Sequence, residues 1–295
     1  MSDIRVQGQP VLLFAEECSR GTLSEENQDS VLRVRIPLGD LLIVADGIGE
    51  HAGGATASWM AVEQIYGHLA TLPQSYPAEN AIHEASARAN AKIAAVAKAP
   101  DSPFPRMGST VVVALVQQKN DGTSAWIGHV GDSRAYLLRA GRLHRLTVDH
   151  TAVQSLLNRD MITPEEALHH PDAMVLTRSL GQQREVEIEI ERHLLGIGDT
   201  LLLCSDGLWR FVSEKEIQLA TADLTVEAAA RSLLELAISA GGQGNIGIEM
   251  ARVILPPAVA PRRHEFSLAF KWILVIFLLA ISGLCALAYF AFWRL

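Results

Sequence analysis

Cysteine is scarce in this 295-residue chain, and its three copies, Cys18, Cys204 and Cys285, lie far apart. That number and spacing exclude a disulfide framework and a cysteine-based zinc site, and they are typical of a reducing compartment. A surplus of positive charge is also missing, because 25 Lys and Arg residues face 33 Asp and Glu residues, for a net charge of −8. A nucleic-acid-binding surface needs clustered bases that displace counterions from phosphates, so we expect no nucleic-acid partner. The N-terminus, MSDIRVQGQP, lacks the apolar stretch of a signal peptide.

What the chain does have is apolar residues, at 49% of the sequence against 20% charged residues, which indicates a folded protein. These residues are concentrated in 272–293, a run of 22 positions without a charge. As a helix, the run would extend about 33 Å, which matches a bilayer core of about 30 Å. Arg262, Arg263 and Lys271 precede the run and only Arg294 follows it. By the positive-inside rule, the residues before the run are expected on the cytoplasmic side.

We therefore expect a protein of the inner membrane that crosses it once, with its N-terminal domain in the cytoplasm. The predicted parts are a globular domain (1–255), a Pro-rich linker (256–267) and a transmembrane helix with a short tail (268–295).

The globular part contains short β-branched or Leu-rich runs, which predict strands, and three long stretches with helical spacing. Strands and helices follow one another in blocks rather than in strict alternation, which favours an α+β fold. The predicted strands are 11–18, 30–36, 41–47, 109–118, 124–130, 134–141, 142–147, 186–194, 200–207 and 246–255. The predicted helices are 54–72, 77–97 and 225–241, with a broken helical region at 149–169.

Two of these strands end in Asp-Gly, at Asp46-Gly47 and at Asp206-Gly207. Asp29 stands just before another strand, and Asp132 lies in the turn GHVGDSR. Each Asp-Gly pair by itself is compatible with an ordinary turn. Several carboxylates at the edges of apolar strands also suit a site for Mg²⁺ or Mn²⁺, which prefer oxygen ligands.

Longer motifs decide between these interpretations. The chain resembles the PP2C family of metal-dependent protein phosphatases, in particular its bacterial members, over residues 11–255. The motifs that carry the resemblance, in order, are VADGIGEHAGGATAS (44–58), GST (108–110), GHVGDSRAYLLRAGRLHRLTVDHTAVQSLL (128–157), LTRSLG (176–181) and LLLCSDGLW (201–209).

The resemblance implies a β-sandwich of two antiparallel sheets flanked by helix pairs, with the transmembrane helix added at the C-terminus. It also implies a binuclear Mn²⁺ or Mg²⁺ centre that hydrolyses phosphoserine and phosphothreonine. Asp46 would bridge the two metals, the Gly47 carbonyl would bind one of them and Asp206 would bind the other. Asp29 is the remaining acid of the first motif, and Asp132 corresponds to a possible third ion. Paired divalent ions suit this reaction because they orient the phosphate and activate a water.

The sequence also departs from the family pattern, in the first and in the last of the family's motifs. Ser19, Ser24 and Gln28 stand where the first motif usually has Asp, the phosphate-binding Arg and Glu. Gly244 stands where the last motif has a metal-binding Asp. One strong metal position is therefore expected, and the second is left open. Candidates for substrate contacts are Arg20, near the missing Arg, and His51, beside the Asp46 motif.

Two functions remain open from the sequence. The first is a membrane-anchored Ser/Thr phosphatase that acts on phosphoserine and phosphothreonine proteins and opposes a cognate Ser/Thr kinase. The second is a pseudophosphatase, a scaffold that binds a phosphoprotein or a kinase without hydrolysis. A cysteine-dependent phosphatase is a poor match although Cys204 and Arg210 have the C-x5-R spacing, because Asp206 within that loop would repel a phosphate dianion.

Overall fold

The computed structural model describes residues 10–256, except residues 23, 25, 50, 51, 120 and 169, together with Gly283. Within this described part, none of the helices is long and apolar enough to span a membrane. Apart from Gly283, the predicted membrane run 272–293 lies outside the described residues, as do the linker after Pro256 and His51, so the domain boundaries and the anchor stay predictions.

The described strands form two sheets and are numbered here in chain order. They are β1 (Val11–Ser19), β2 (Asp29–Ile36), β3 (Gly39–Ile48), β4 (Gly108–Ser109), β5 (Val111–Lys119), β6 (Gly122–Val130), β7 (Arg134–Arg139), β8 (Arg142–Arg145), β9 (Glu189–Leu195), β10 (Thr200–Cys204) and β11 (Ile246–Ile254). One sheet has the order β1-β11-β10-β7-β8 and the other the order β2-β3-β5-β6-β9, with β4 paired to β3. The strand pairs are antiparallel.

Helices cover the outer face of each sheet. They are α1 (Gly53–Leu69), α2 (Ala78–Ala97), α3 (Ala152–Leu157), α4 (Pro164–Leu168), α5 (Asp206–Trp209), α6 (Glu214–Ala222) and α7 (Val226–Ser239). Helices α1 and α2 pack on the six-stranded sheet, and α6 and α7 pack on the five-stranded sheet. The result is a four-layer arrangement of helices, sheet, sheet and helices.

Strand β3 shows why the middle of a central strand is a continuous apolar run. Side chains alternate between the two faces of a strand. Leu41 and Ile43 therefore pack under the helices, whereas Leu42 and Val44 pack between the sheets. All four are fully buried. A strand covered on both faces reads as a continuous apolar run rather than as an alternating pattern.

The predicted α+β class and the two antiparallel sheets with flanking helices are confirmed. Helix α6 was not predicted, although its N-terminus carries a signal. Ser213 accepts a hydrogen bond from the Glu216 amide, and the Glu216 carboxylate accepts one from the Ser213 amide. This is a capping box, which the spacing S-x-x-E in the sequence indicates.

Candidate metal centre

One end of the sandwich gathers the four predicted metal-binding acids. Asp29 is the first residue of β2 and is paired with Asp46 of β3, while Asp132 lies in the turn between β6 and β7 and Asp206 follows β10. Asp29 and Asp132 are buried, and Asp46 and Asp206 are partly exposed. The Asp46 carboxyl interacts electrostatically with those of both Asp29 and Asp206. The tertiary structure thus brings together acids that are up to 177 positions apart in the chain.

The backbone amide and the backbone carbonyl of Asp46 are both hydrogen-bonded to the neighbouring segment, Ser109 and Thr110. The Asp46 amide donates to Thr110 Oγ1 at 3.1 Å, and the Asp46 carbonyl accepts from the Thr110 amide at 2.8 Å. Ser109 Oγ adds a third hydrogen bond to the same carbonyl, at 3.1 Å. The direction of the Asp46 side chain is therefore set before any ligand arrives.

Gly47 is required by a close backbone approach. A Cβ atom at this position would lie 2.0 Å from the carbonyl oxygen of Gly54, at the start of α1. No side chain can be accommodated at that separation, and only glycine allows the strand to run so close to the helix.

Ser205 supports the buried acid of the first motif. Its hydroxyl donates to Asp29 Oδ2 at 2.6 Å and accepts from the Gly247 amide at 2.9 Å. Strand β11 therefore positions Asp29 through one serine. The other carboxylate oxygen, Asp29 Oδ1, is buried without a hydrogen-bond partner. A buried acceptor of this kind normally finds a donor or a cation.

The electrostatics of the cluster also favour a bound cation. Burial, with a contribution from Asp206, raises the pKa of Asp29 to about 7 and that of Asp132 to about 7. The pKa of Asp46 lies well above its ordinary value, first because of its enclosure and then because of the charges of Asp29 and Asp206. Like charges held this close oppose one another's ionisation. A divalent cation would relieve the repulsion and satisfy Asp29 Oδ1, so these residues fit the predicted Mn²⁺ or Mg²⁺.

Asn245 takes a supporting part at the edge of the cluster. Its side-chain oxygen accepts from the Gln28 amide at 2.9 Å, and its side-chain nitrogen donates to the carbonyls of Arg20 and Glu26. The loop before Asp29 is thereby tied to the loop before β11. Arg20 itself is exposed. Its predicted contact with substrate stays a prediction, as does the role of His51.

A second group of possible ligands lies at the base of the segment 151–176. Ligand atoms of His129, His150 and Glu189 are within 4.8 Å of one another. However, the Gly131 amide donates to His150 Nδ1 at 3.1 Å, so a neutral His150 carries its hydrogen on Nε2 and directs it to Glu189. Arg178 also contacts that glutamate at 2.8 Å. This group is better described as a hydrogen-bonded cluster than as a metal site.

Ser205 and Asn245 were not predicted as site residues, and Arg210 was considered only for its C-x5-R spacing from Cys204. Arg210 contacts the carboxylates of both Asp132 and Asp206. A spacing signal existed, because Arg210 follows Asp206 by four residues and such pairs meet on a helical turn. The supports from Ser205 and Asn245 cross between distant strands, and no local pattern predicts them.

Fold and site together define a two-sheet sandwich with helical outer layers and an acidic site for hard cations at one end. The family model for protein phosphatase 2C matches residues 20–237. The chain therefore belongs to the protein phosphatase 2C family.

Individual relatives agree with this assignment. The chain is 38% identical to the serine/threonine protein phosphatase PstP of Mycobacterium tuberculosis over 248 residues, which are 83% of this chain and 45% of PstP. It is 35% identical to the protein phosphatase PhpP of Streptococcus pneumoniae over 216 residues, 71% of this chain and 84% of PhpP. The catalytic domain of PstP solved in complex with two manganese ions superposes with a TM-score of 0.73 at 34% identity, covering 83% of this chain and all of that domain. The chain thus spans about half of the length of PstP.

Proposed function

We propose that this protein is a metal-dependent protein phosphatase that hydrolyses phosphoserine and phosphothreonine. The observation that carries the proposal is the cluster of Asp29, Asp46, Asp132 and Asp206 at one end of the sandwich, where burial and the neighbouring carboxylates raise the pKa of the first three. The names of PstP and PhpP support the same reaction class.

The residues of this chain have distinct parts in that reaction. Asp29, Asp46 and Asp206 would hold Mn²⁺ or Mg²⁺, with the Gly47 carbonyl as a further ligand. When bound, such ions polarise the phosphoryl group and lower the pKa of a coordinated water. Ser205 and the Thr110 contacts keep the carboxylates in place, so that little reorganisation is needed when substrate binds.

The direct test is hydrolysis of p-nitrophenyl phosphate and of a phosphothreonine peptide by the full chain, with and without Mn²⁺. Asp46→Asn keeps the size of the side chain but removes the charge at the centre of the cluster, and we expect it to abolish Mn²⁺-dependent turnover. Asp101→Asn is the matched control, because Asp101 is exposed. Equal rates for the wild type and Asp46→Asn would reject the proposal and favour a scaffold that binds phosphoproteins without hydrolysis.

We further propose that the chain is anchored in the inner membrane by residues 272–293, with the phosphatase domain in the cytoplasm. The support is the sequence: 22 uncharged positions, three bases shortly before them and one after. Its substrates would be phosphoproteins near the membrane, and its counterpart a Ser/Thr kinase. We expect the full chain in the membrane fraction and a variant ending at Pro256 in the soluble fraction. Recovery of both proteins in the soluble fraction would reject the anchor.

A further inference from the structure

Arg210 occupies the space between two acids of the candidate metal centre. It follows the short helix α5, four residues after Asp206. Its Nε lies 2.9 Å from Asp206 Oδ2, and its Nη2 lies 3.4 Å from Asp132 Oδ2. The Nε–H is not aligned for a hydrogen bond, so the contact with Asp206 is an ion pair. One guanidinium thus bridges carboxylates that reach the site from different strands.

The tryptophan next to Arg210 holds this arrangement in place. The indole Nε1–H of Trp209 donates to the Asp132 carbonyl at 2.9 Å. The guanidinium of Arg210 lies 5.1 Å from the Trp209 ring centroid, and that of Arg134 lies 3.5 Å from it. Arg134 is in turn fixed by two hydrogen bonds to Asp149, at 2.9 and 2.6 Å. Arg210 is therefore confined by packing as well as by its ion pairs, and its side chain is only 20% exposed.

From these contacts we infer that Arg210 is a built-in cation, which joins Asp132 to Asp206 and excludes a divalent ion from the space between them. The guanidinium is covalently tethered, so its local concentration beside Asp132 does not fall when dissolved metal is removed. It is also planar and weakly hydrated, which suits a partly buried position between two carboxylates. A metal ion that entered this space would have to displace Arg210 or lie beside its positive charge.

With Arg210 in this position, the acids of the site are divided between the metal and the guanidinium. Asp29, Asp46 and the remaining oxygen of Asp206 stay available for Mn²⁺, while Asp132 is committed to Arg210. The optional third ion that the family resemblance implies at Asp132 is then replaced by a side chain of the protein. The inference rests on the proposed function only in assuming that the other acids bind Mn²⁺.

The test counts Mn²⁺ bound per full chain in detergent buffer, by equilibrium dialysis and metal analysis, without substrate. We expect Arg210→Gln to bind one more Mn²⁺ than the wild type, because the space at Asp132 becomes accessible and its charge is no longer balanced. Arg210→Lys keeps a positive charge and should bind the same number as the wild type. The double variant Arg210→Gln, Asp132→Asn should lose the gain. Equal counts for the wild type and Arg210→Gln, or an equal gain in Arg210→Lys, would overturn the inference.

A second measurement covers the case in which Arg210→Gln does not fold. Asp132→Asn in the otherwise unchanged chain should leave the Mn²⁺ count at the wild-type value, whereas a count lower by one would show that Asp132 binds metal beside Arg210 and overturn the inference. Because these counts need no turnover, they fail independently of the proposed phosphatase activity. A chain that hydrolyses phosphate but has a metal ion at Asp132 would reject only the role of Arg210.

Discussion

Replacing Gly244 with aspartate would return a carboxylate to the place where the family pattern has one. Gly244 precedes Asn245, which is tied to the loop before Asp29 through the Gln28 amide. Apart from its two chain neighbours, a Cβ atom at Gly244 would meet no atom within 4 Å, and the residue is not among those with positive φ. A side chain at this position therefore meets neither a steric barrier nor backbone strain.

The expected gain follows from the number of charged ligands. Loss of a group that merely supports a metal ligand typically weakens metal binding about 10–100-fold. A carboxylate that binds the ion directly should contribute at least as much, so we expect Gly244→Asp to tighten Mn²⁺ binding by about 10–100-fold. This factor corresponds to about 1.4–2.7 kcal/mol of binding free energy. Turnover at subsaturating Mn²⁺ should rise together with occupancy.

Calorimetric titration of Mn²⁺ into the metal-free full chain measures the change. Gly244→Asn has the same size without the charge, and Gly244→Ala tests the effect of stiffening the loop. Both should bind Mn²⁺ much like the wild type. If Gly244→Asp bound no more tightly than Gly244→Asn, the reasoning that a charged ligand is missing at this end of the site would be refuted.

Three further predictions concern stability. In the metal-free protein, the raised pKa of Asp29 and of Asp132, about 7 for each against an ordinary 3.8, means that the folded state holds protons that the unfolded chain has released. The free energy of unfolding should therefore fall as pH rises from about 4 to about 7, and saturating Mn²⁺ should make this slope shallower; a urea midpoint in EDTA that stays constant over that window would contradict it. Burial also raises the pKa of Glu249 to about 9, so that between pH 7 and 9 the wild type should lose stability while Glu249→Gln does not, and parallel slopes in urea titrations would argue against this assignment. Asp149→Asn leaves the Arg134 guanidinium without its buried partner and should lower the free energy of unfolding by about 3–5 kcal/mol, whereas a loss below about 1 kcal/mol would show that the pair is not important for stability.

Much of the fold was accessible from the sequence because its signals are local. The apolar run 41–47 and the helical spacing in 77–97 predict β3 to within two residues and α2 to within one residue at each end. Asp-Gly at the ends of two apolar strands, together with the longer motifs, indicated an acidic site at one edge of the sheets. Helix α6 was missed although its capping box is also a local signal.

Contacts between distant strands were decided by the tertiary structure alone. Asp29 meets Ser205, 176 positions away, because β11 and β10 place the serine between Gly247 and the start of β2. The bridge from Arg210 to Asp132 likewise depends on the pairing of β10 with β7, which places the end of β10 beside the residues that follow Asp132. The residue types that favour a divalent cation could be identified from the sequence. Which oxygens remain for the ion, and which are taken by the protein's own guanidinium, depends on the packing of the two sheets, because only the folded chain places these charges within a few ångströms of one another.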